Sequence, residues 1–114
     1  MMSTQHYSAV RAFIIYNNKV LIIRESQQYN SPNKGKCDLP GGKMAPNETA
    51  EDCLRREVRE ETGMSINIRE PFCTITWEPI VNNQKQQITG TIFLCTTNSS
   101  NVILSKDHDM YQWI

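Results

Sequence analysis

One stretch of helical periodicity, set between runs of β-forming residues, constrains the fold of this chain more than any other feature. An apolar residue recurs every four positions, as on the buried side of an α-helix, at Ala50, Leu54 and Val58. Thr49 is a favourable N-cap residue, with Asp52 three positions on as in a capping box. Gly63 suits the position just after a helix. These signals together predict one helix that begins near Thr49 and ends at Gly63.

The rest of the chain alternates between runs of β-forming residues and turn residues. Strands are predicted over residues 8–16, 19–24, 37–39, 72–81, 86–95 and 110–114. Asn17-Asn18 predicts a hairpin turn, and Asn82-Asn83 predicts a turn between the two longest later strands. Pro40-Gly41-Gly42 predicts a turn at which the backbone passes close to other atoms. Strands on both sides of a single helix indicate one α/β domain with a mixed sheet, spanning residues 1–114.

Three glutamates fall on one side of the predicted helix, at positions 57, 60 and 61. At about 100° per residue they span an arc of roughly 100°, and like charges at that spacing repel each other. Glu57 and Glu61 lie beside the apolar stripe, so their carboxylates are expected at the edge of the core, in a cleft. A Mg²⁺ ion would relieve the repulsion, and Mg²⁺ held by carboxylates is the usual partner of substrate phosphates. A solvated acidic helix face is the alternative interpretation.

Composition limits the classes of partner. Twelve basic residues balance twelve acidic ones, so no global field attracts a polyanion, and no stable nucleic-acid partner is expected. No apolar run approaches the roughly 20 residues that cross a bilayer, and the polar start of the chain lacks the apolar core of a signal peptide. We therefore expect a soluble, cytoplasmic protein without membrane association, whose four cysteines are free thiols.

The segment 42–64 resembles the Nudix signature, G-x5-E-x7-R-E-U-x-E-E-x-G-U, in which U is a bulky aliphatic residue. Its specified positions are filled by Gly42, Glu48, Arg56-Glu57-Val58, Glu60-Glu61 and Gly63-Met64. A match at all of these positions is far more specific than a lone glycine motif. The resemblance implies the α/β/α sandwich of Nudix proteins. It also implies a Mg²⁺- or Mn²⁺-dependent hydrolase that cleaves a nucleoside diphosphate linked to another group.

The resemblance further implies roles for individual residues. The metal ligands would be the three helix glutamates, Glu57, Glu60 and Glu61, together with the backbone carbonyl of Gly42. Glu48 commonly pairs with the arginine of the signature, here Arg56, and this pair would hold the preceding loop on the helix.

The general base is left open between two places in the chain. It is either a glutamate of the signature, Glu57 or Glu60, or an acidic residue of a later loop, Asp107 or Asp109. Residues 104–114 resemble the L-S-x-E-H-x-x-Y-x-W-aliphatic pattern of diadenosine tetraphosphate hydrolases, and Asp107 stands where that pattern has Glu. His108 is interpreted as structural or solvent-facing, since no paired nucleophile is evident.

Substrate contacts are assigned more broadly. Arg24 is a candidate for a phosphate contact, with an ordinary surface arginine as the alternative. Trp77 and Tyr29 are candidates for stacking on a base, with packing on the sheet as the alternative. The expected substrate is a canonical or oxidised nucleoside triphosphate or a dinucleoside polyphosphate. A non-catalytic nucleotide sensor is the competing function, although such domains usually lose signature glutamates that are all present here.

Nudix domains normally continue past the last strand into a second helix that covers the open face of the sheet, whereas this sequence ends at Ile114. Three explanations stay open. The sequence is a truncated piece of a larger enzyme, the helix has been lost, or the partner subunit of a homodimer covers the face.

Overall fold

The computed structural model describes residues 4–28 and 33–114 of the chain. In chain order its elements are β1 (Thr4–Tyr16), β2 (Lys19–Glu25), β3 (Cys37–Asp38), β4 (Gly41–Lys43), α1 (Ala50–Thr62), β5 (Asn67–Trp77), β6 (Ile80–Val81), β7 (Gln84–Thr96) and β8 (His108–Trp113). Within the described residues, no helix is both long and apolar enough to cross a membrane.

Strand β1 is the centre of a mixed sheet. It runs parallel to β7 along nearly its whole length, from the pair Thr4 and Lys85 to the pair Ile15 and Thr96. On its other side β1 pairs antiparallel with β4 and then with β2. The sheet order is β3-β2-β1-β7-β5, with β8 beside β2 and β6 beside β7. The expectation of a mixed sheet is therefore confirmed.

Two asparagine pairs form the predicted turns. Asn17 and Asn18 have φ angles of 51° and 61°, and Asn82 and Asn83 have φ angles of 52° and 61°. Two consecutive residues with positive φ make the turn type whose twist matches that of the flanking antiparallel strands, and asparagine tolerates this conformation. The hairpin between β1 and β2 is thus confirmed, as is the turn that leads into β7.

Both ends of α1 agree with the sequence. The Thr49 hydroxyl accepts a hydrogen bond from the backbone N–H of Asp52 at 3.1 Å, which satisfies one of the free donors at the helix N-terminus. Gly63 takes the left-handed conformation with φ of 71°, and its N–H donates to the carbonyl of Arg59.

The core forms where α1 packs on the sheet. Leu54 and Val58 are fully buried against apolar side chains of the central strands, namely Val10, Ala12, Ile14, Leu21 and Ile23. Burial of one such side chain stabilises the fold by about 1.5–3 kcal/mol. Ala50, predicted in the same stripe, is only partly buried. Thr62 is buried without having been predicted, because its hydroxyl donates to the Val58 carbonyl at 2.6 Å.

Two predicted elements differ in detail. Gly41 and Gly42 belong to strand β4 and not to a turn, because β4 pairs with β1. The strand predicted over residues 72–81 begins earlier and is divided, as β5 ends at Trp77 and a separate β6 follows. The helix that usually follows the last strand of Nudix domains was predicted to be lacking, and among residues 4–28 and 33–114 one helix, α1, lies against the sheet of the α/β sandwich. On the sheet, Phe13 and Phe72 meet edge to face, with ring centroids 5.4 Å apart.

Candidate active site

Strand β4 passes so close to its neighbours that neither of its first two residues has room for a side chain. A Cβ atom on Gly41 would collide with the backbone carbonyl of Val10, and its φ of 153° is one that other residues rarely adopt. A Cβ atom on Gly42 would lie 2.6 Å from Cδ of Glu57. The prediction that the backbone passes close to other atoms here is confirmed, and on one side those atoms are a carboxylate of α1.

Glu61 is held between β4 and β8. Its Oε1 accepts a hydrogen bond from the backbone N–H of Gly41 at 2.8 Å, and its Oε2 lies 3.8 Å from Nε2 of His108. The Glu61 side chain is only 16% exposed, and burial raises its pKa to about 8 against the opposing effect of the Gly41 hydrogen bond. A positive charge placed beside this mostly buried carboxylate would stabilise its ionised form.

Glu57 lies one turn before Glu61 on the same side of α1. Its side chain is 17% exposed, and its Oε1 accepts a hydrogen bond from Nη1 of Arg56 at 3.0 Å. Burial raises the pKa of Glu57, while the neighbouring Arg56 guanidinium opposes that shift. The predicted position of both carboxylates, at the edge of the core, is therefore confirmed.

Arg56 of α1 forms an ion pair with Glu48, and this pair holds the loop before α1 on the helix. Its Nε donates to Oε2 of Glu48 at 2.7 Å and its Nη2 donates to Oε1 at 3.0 Å, so the pair is bidentate. Glu48 also accepts from the backbone N–H of Ala45 at 3.0 Å. The Arg56 hydrogen bond, with help from that of Ala45, lowers the pKa of Glu48 to about 2. The expected pairing of Glu48 with Arg56 is confirmed.

Glu60 is placed differently from the other two glutamates. Its side chain is 57% exposed, and both of its carboxylate oxygens lie 3.3 Å from Nη1 of Arg56. In the part of the chain that the structure describes, no three His, Cys, Asp or Glu side chains come together so as to hold a metal ion. The structure therefore brings Glu57 and Glu61 to β4 and turns Glu60 toward Arg56.

The donor groups around β4 nevertheless fit a hard divalent cation. Glu57 and Glu61 are carboxylates with raised pKa values, one turn apart on a helix. The Gly42 carbonyl faces the same helix, where it lies 4.0 Å from Sγ of Cys53. Carboxylate and carbonyl oxygens are the ligands that Mg²⁺ and Mn²⁺ prefer, and a cation would offset the charge that burial disfavours.

Two cavities that share lining residues open at this side of the sheet, and Glu61 lines one of them. One, of about 140 Å³, is lined by residues that include Gly41, Glu61 and His108. The other, of about 270 Å³, is lined by Ile75, Thr76 and Trp77. Three residues line both cavities: Arg11, Asn33 and Asp38.

Sequence reasoning missed Arg11, although the strand itself carries a signal. Arg11 is the charged residue between Val10 and Ala12 in an otherwise apolar part of β1. Its Nε lies 3.5 Å from Oδ2 of Asp38, and its Cζ lies 5.5 Å from the ring centroid of Trp77. A charge in an apolar strand needs a partner or a polar cavity, and that requirement singles the residue out.

The structure places the predicted substrate residues Arg24 and Trp77 in different parts of the molecule. Arg24, on β2, donates from Nε to Oδ1 of Asp109 at 2.7 Å, and this hydrogen bond lowers the pKa of Asp109. Trp77, at the end of β5, lines the cavity of about 270 Å³. Tyr29 lies outside the described residues.

The first residue of β8, His108, reaches the site, whereas Asp107 lies in the loop before it. Asp107 is exposed, and its backbone carbonyl accepts from the N–H of Ser26 at 2.8 Å. The His108 side chain is only 10% exposed, and its Nδ1 lies 3.2 Å from Oγ of Ser105. His108 is therefore not solvent-facing: its ring lies between Ser105 and Glu61.

Comparison with known proteins identifies relatives that are similar to this chain in sequence. An ADP-ribose pyrophosphatase from Methanocaldococcus jannaschii is 43% identical over 61 residues, which cover 54% of this chain and 34% of that protein. The chain thus spans about a third of that relative's length. A nucleoside triphosphatase NudI from Enterobacter sp. is 28% identical over 109 residues, which cover 89% of this chain and 77% of that protein.

Solved structures show the same architecture. The crystal structure of a MutT protein from Methanosarcina mazei matches with a TM-score of 0.86 at 29% identity, covering 100% of this chain and 80% of that one. A MutT Nudix hydrolase from Burkholderia pseudomallei matches in fold with a TM-score of 0.81, covering 96% of this chain and 83% of that one. A NUDIX domain model matches residues 5–114. The chain therefore belongs to the Nudix family of hydrolases.

Proposed function

We propose that this chain is a Mg²⁺- or Mn²⁺-dependent pyrophosphohydrolase that cleaves a P–O–P bond in a nucleoside diphosphate derivative. One observation carries the proposal: two mostly buried carboxylates, Glu57 and Glu61, lie against a glycine strand with their pKa values raised by burial. A stable fold has no need of such a pair, whereas a site for a dication and a diphosphate does. The relatives named as pyrophosphatase and nucleoside triphosphatase support this reaction class.

The groups that would hold the cation are the carboxylates of Glu57, Glu60 and Glu61 and the carbonyl of Gly42. When bound, the cation neutralises phosphate oxygens and lowers the pKa of a coordinated water. Glu60 contributes from the exposed side of α1, where its present partner is Arg56.

The chain's other residues position these carboxylates. Arg56 contacts Glu57 while Glu48 holds the guanidinium in a bidentate pair, so Glu57 has a fixed orientation. The Gly41 N–H does the same for Glu61. Catalysis by positioned groups depends on such support, because a small displacement of a carboxylate lowers the rate strongly.

The attacking water must lose a proton to a carboxylate. We assign this role to one of the signature glutamates, Glu57 or Glu60, and keep Asp107 as the second candidate. Asp107 lies in the loop that ends at His108, whose ring faces Glu61. The three carboxylates are separable by substitution, since each can be changed to its amide without a change of size.

The proposed substrates are nucleotides with at least two linked phosphates: canonical or oxidised nucleoside triphosphates, dinucleoside polyphosphates and ADP-ribose. The test is a panel of these compounds with Mg²⁺ and with Mn²⁺, in which the released products identify the bond that breaks. Glu57→Gln and Glu60→Gln should each lower the rate by about two orders of magnitude or more. The exposed Glu70 of β5 provides the matched control, and Glu70→Gln should leave the rate unchanged. Full activity of Glu57→Gln and Glu60→Gln would refute the metal site.

One observation favours a second candidate, a nucleotide sensor without catalysis. Glu60 faces Arg56, and three metal-binding side chains do not converge within residues 4–28 and 33–114. The same panel separates the two functions. A sensor would bind one nucleotide tightly and release no product with either metal.

A further inference from the structure

The cavity of about 270 Å³ has a wall of aromatic and apolar side chains. Trp77 and Ile75 stand two positions apart on β5 and both line it. The Trp77 ring lies on Gly90 of β7, where a Cβ atom would come within 2.8 Å of the ring carbon Cζ3. Gly90 pairs with Ala9 of β1, so two small residues lie side by side in the sheet at this point. The absence of a side chain at Gly90 thus leaves room for the Trp77 ring on the sheet.

The part of the cavity next to the Trp77 ring is polar and carries a donor next to an acceptor, since Cζ of Arg11 lies 5.5 Å from the ring centroid. Arg11 contacts Asp38 through Nε, and its guanidinium has two further nitrogens that donate hydrogen bonds. Asp38 is 64% exposed, and its Oδ1 accepts from the backbone N–H of Leu39 at 2.7 Å. Each carboxylate oxygen has two lone pairs, so Asp38 has acceptor capacity beyond these contacts.

The two cavities meet at this polar part. Arg11 and Asp38 line the cavity of about 270 Å³ together with Trp77, and they also line the cavity of about 140 Å³ together with Glu61. A ligand with its phosphates at Glu61 would therefore extend past Arg11 and reach Trp77 with the end that lies farthest from the phosphates. In a nucleotide, the part that suits an aromatic wall is the base.

We propose that this cavity holds the nucleobase and that Arg11 and Asp38 select guanine over adenine. The proposal rests on the pyrophosphohydrolase function, since the phosphates must lie beside Glu61. The edge of guanine presents two acceptors, N7 and O6, followed by two donors, N1–H and N2–H. The Arg11 guanidinium offers donors and Asp38 offers acceptors, so the two side chains complement that order. Adenine presents an acceptor, a donor and an acceptor along the same edge, which leaves one group of the Arg11–Asp38 pair unmatched.

Calorimetry in the presence of Mg²⁺ with GDP and ADP, each used as its α,β-methylene analogue so that no P–O–P bond can be hydrolysed, tests base selection independently of turnover. The wild-type chain should bind GDP about tenfold or more tightly than ADP, the discrimination that a well-made pair of hydrogen bonds provides. Asp38→Asn should bring the two affinities to within about threefold of each other. This variant keeps an Oδ1 acceptor for Leu39, so the local backbone is preserved. Asp52→Asn, at an exposed position of α1, is the matched control and should keep the wild-type preference.

Gly90→Ala tests the aromatic wall separately. The new methyl group must displace the Trp77 ring, so it should weaken GDP and ADP binding by the same factor and leave their ratio unchanged.

Equal affinity of the wild-type chain for GDP and ADP, or an unchanged ratio in Asp38→Asn, would overturn the proposal even if the enzyme hydrolyses nucleotides. A chain that prefers GDP in calorimetry but releases no product would keep the proposal and refute the hydrolase function.

Discussion

The carboxylate of Glu57 occupies the space that a side chain at Gly42 would need, with Oε1 and Oε2 both 2.7 Å from the ideal Cβ position. The neighbouring Gly41 is also closely packed, but there the obstacle is the backbone of β1 at Val10. A flexible carboxylate can move away from a new methyl group, whereas a backbone carbonyl in a paired strand cannot. Glycine at position 42 therefore leaves room for the Glu57 carboxylate, whereas glycine at position 41 allows β4 to pair closely with β1.

Gly42→Ala should lower activity without unfolding the protein. The added methyl group displaces the Glu57 carboxylate, and a displacement of about 1 Å at a positioned group costs about two orders of magnitude in rate. The melting temperature should stay close to that of the wild type, because the displaced atoms are the end of a flexible side chain. The measurements are kcat and thermal unfolding on the same preparation. A variant with wild-type kcat would show that the position of Glu57 does not matter to the reaction.

Gly41→Ala should instead destabilise the fold, by about 1–3 kcal/mol or more. Its φ of 153° is unfavourable for alanine, and the methyl group would collide with the Val10 carbonyl. Urea unfolding of the variant and the wild type measures the difference. Equal midpoints would mean that β4 can move away from β1 at no cost, contrary to the close pairing described above.

Arg56→Lys should reduce kcat by about 10- to 100-fold, as is typical when a residue that orients a metal ligand is replaced. Lysine keeps the positive charge but cannot form the two parallel hydrogen bonds to Glu48 and contact Glu57 as well. Arg55→Lys on the same helix is the control, because Arg55 is exposed and pairs with Glu51 at 3.7 Å. An equal loss in both variants would argue for a general effect of helix charge.

The pairing of Glu48 with Arg56 should appear as a pH dependence of stability. The pKa of Glu48 is lowered from its usual 4.5 to about 2 in the folded chain, so the unfolded chain binds the proton more readily. The stability gained from ionised Glu48 is therefore complete above its usual pKa and is lost as the pH falls from about 4.5 to about 2. Urea unfolding of wild type and Glu48→Gln should show a gap at pH 7 that closes over this interval. A gap that stays constant down to pH 2 would contradict the shift.

Metal binding should stabilise the fold through Glu57 and Glu61. A ligand that binds only the folded state raises its stability, by about 2.7 kcal/mol when its concentration is one hundred times Kd. Millimolar Mg²⁺ should therefore raise the melting temperature of the wild type, and EDTA should reverse the change and abolish turnover. Glu57→Gln should show a smaller rise, whereas Glu70→Gln should respond like the wild type. No response of the wild type to either Mg²⁺ or Mn²⁺ would count against the cation site.

Local sequence signals predicted the parts of the fold that depend on a few neighbouring residues. Thr49 and Gly63 mark the helix ends because capping is a contact within one turn. Asn17-Asn18 marks the hairpin because the turn type follows from the backbone freedom of those two residues. The edge position of Glu57 and Glu61 follows from helix geometry once the apolar stripe is known.

The remaining parts of the site depend on contacts between distant segments. Periodicity does not show that Arg11 of β1 meets Asp38 and Trp77, because three separate strands supply these side chains. His108 reaches Glu61 only because the preceding loop is bound to the end of α1, where the Ser105 N–H donates to the Glu61 carbonyl at 3.1 Å. The rotation of Glu60 toward Arg56 is a choice of side-chain conformation that sequence spacing leaves open.

The parallel pairing of β1 with β7 has a consequence for how the protein acquires its activity during synthesis. Thr4 and Lys85 are partners, although 81 positions separate them in the chain. Contacts between such distant residues form late in folding, because a long loop must close first. While β7 is still inside the ribosome, β1 lacks its parallel partner strand. Strand β4, which carries Gly41 and Gly42, then lacks a fully formed β1 to pair with. Catalytic competence should arise only after β7 has been translated and has left the ribosome.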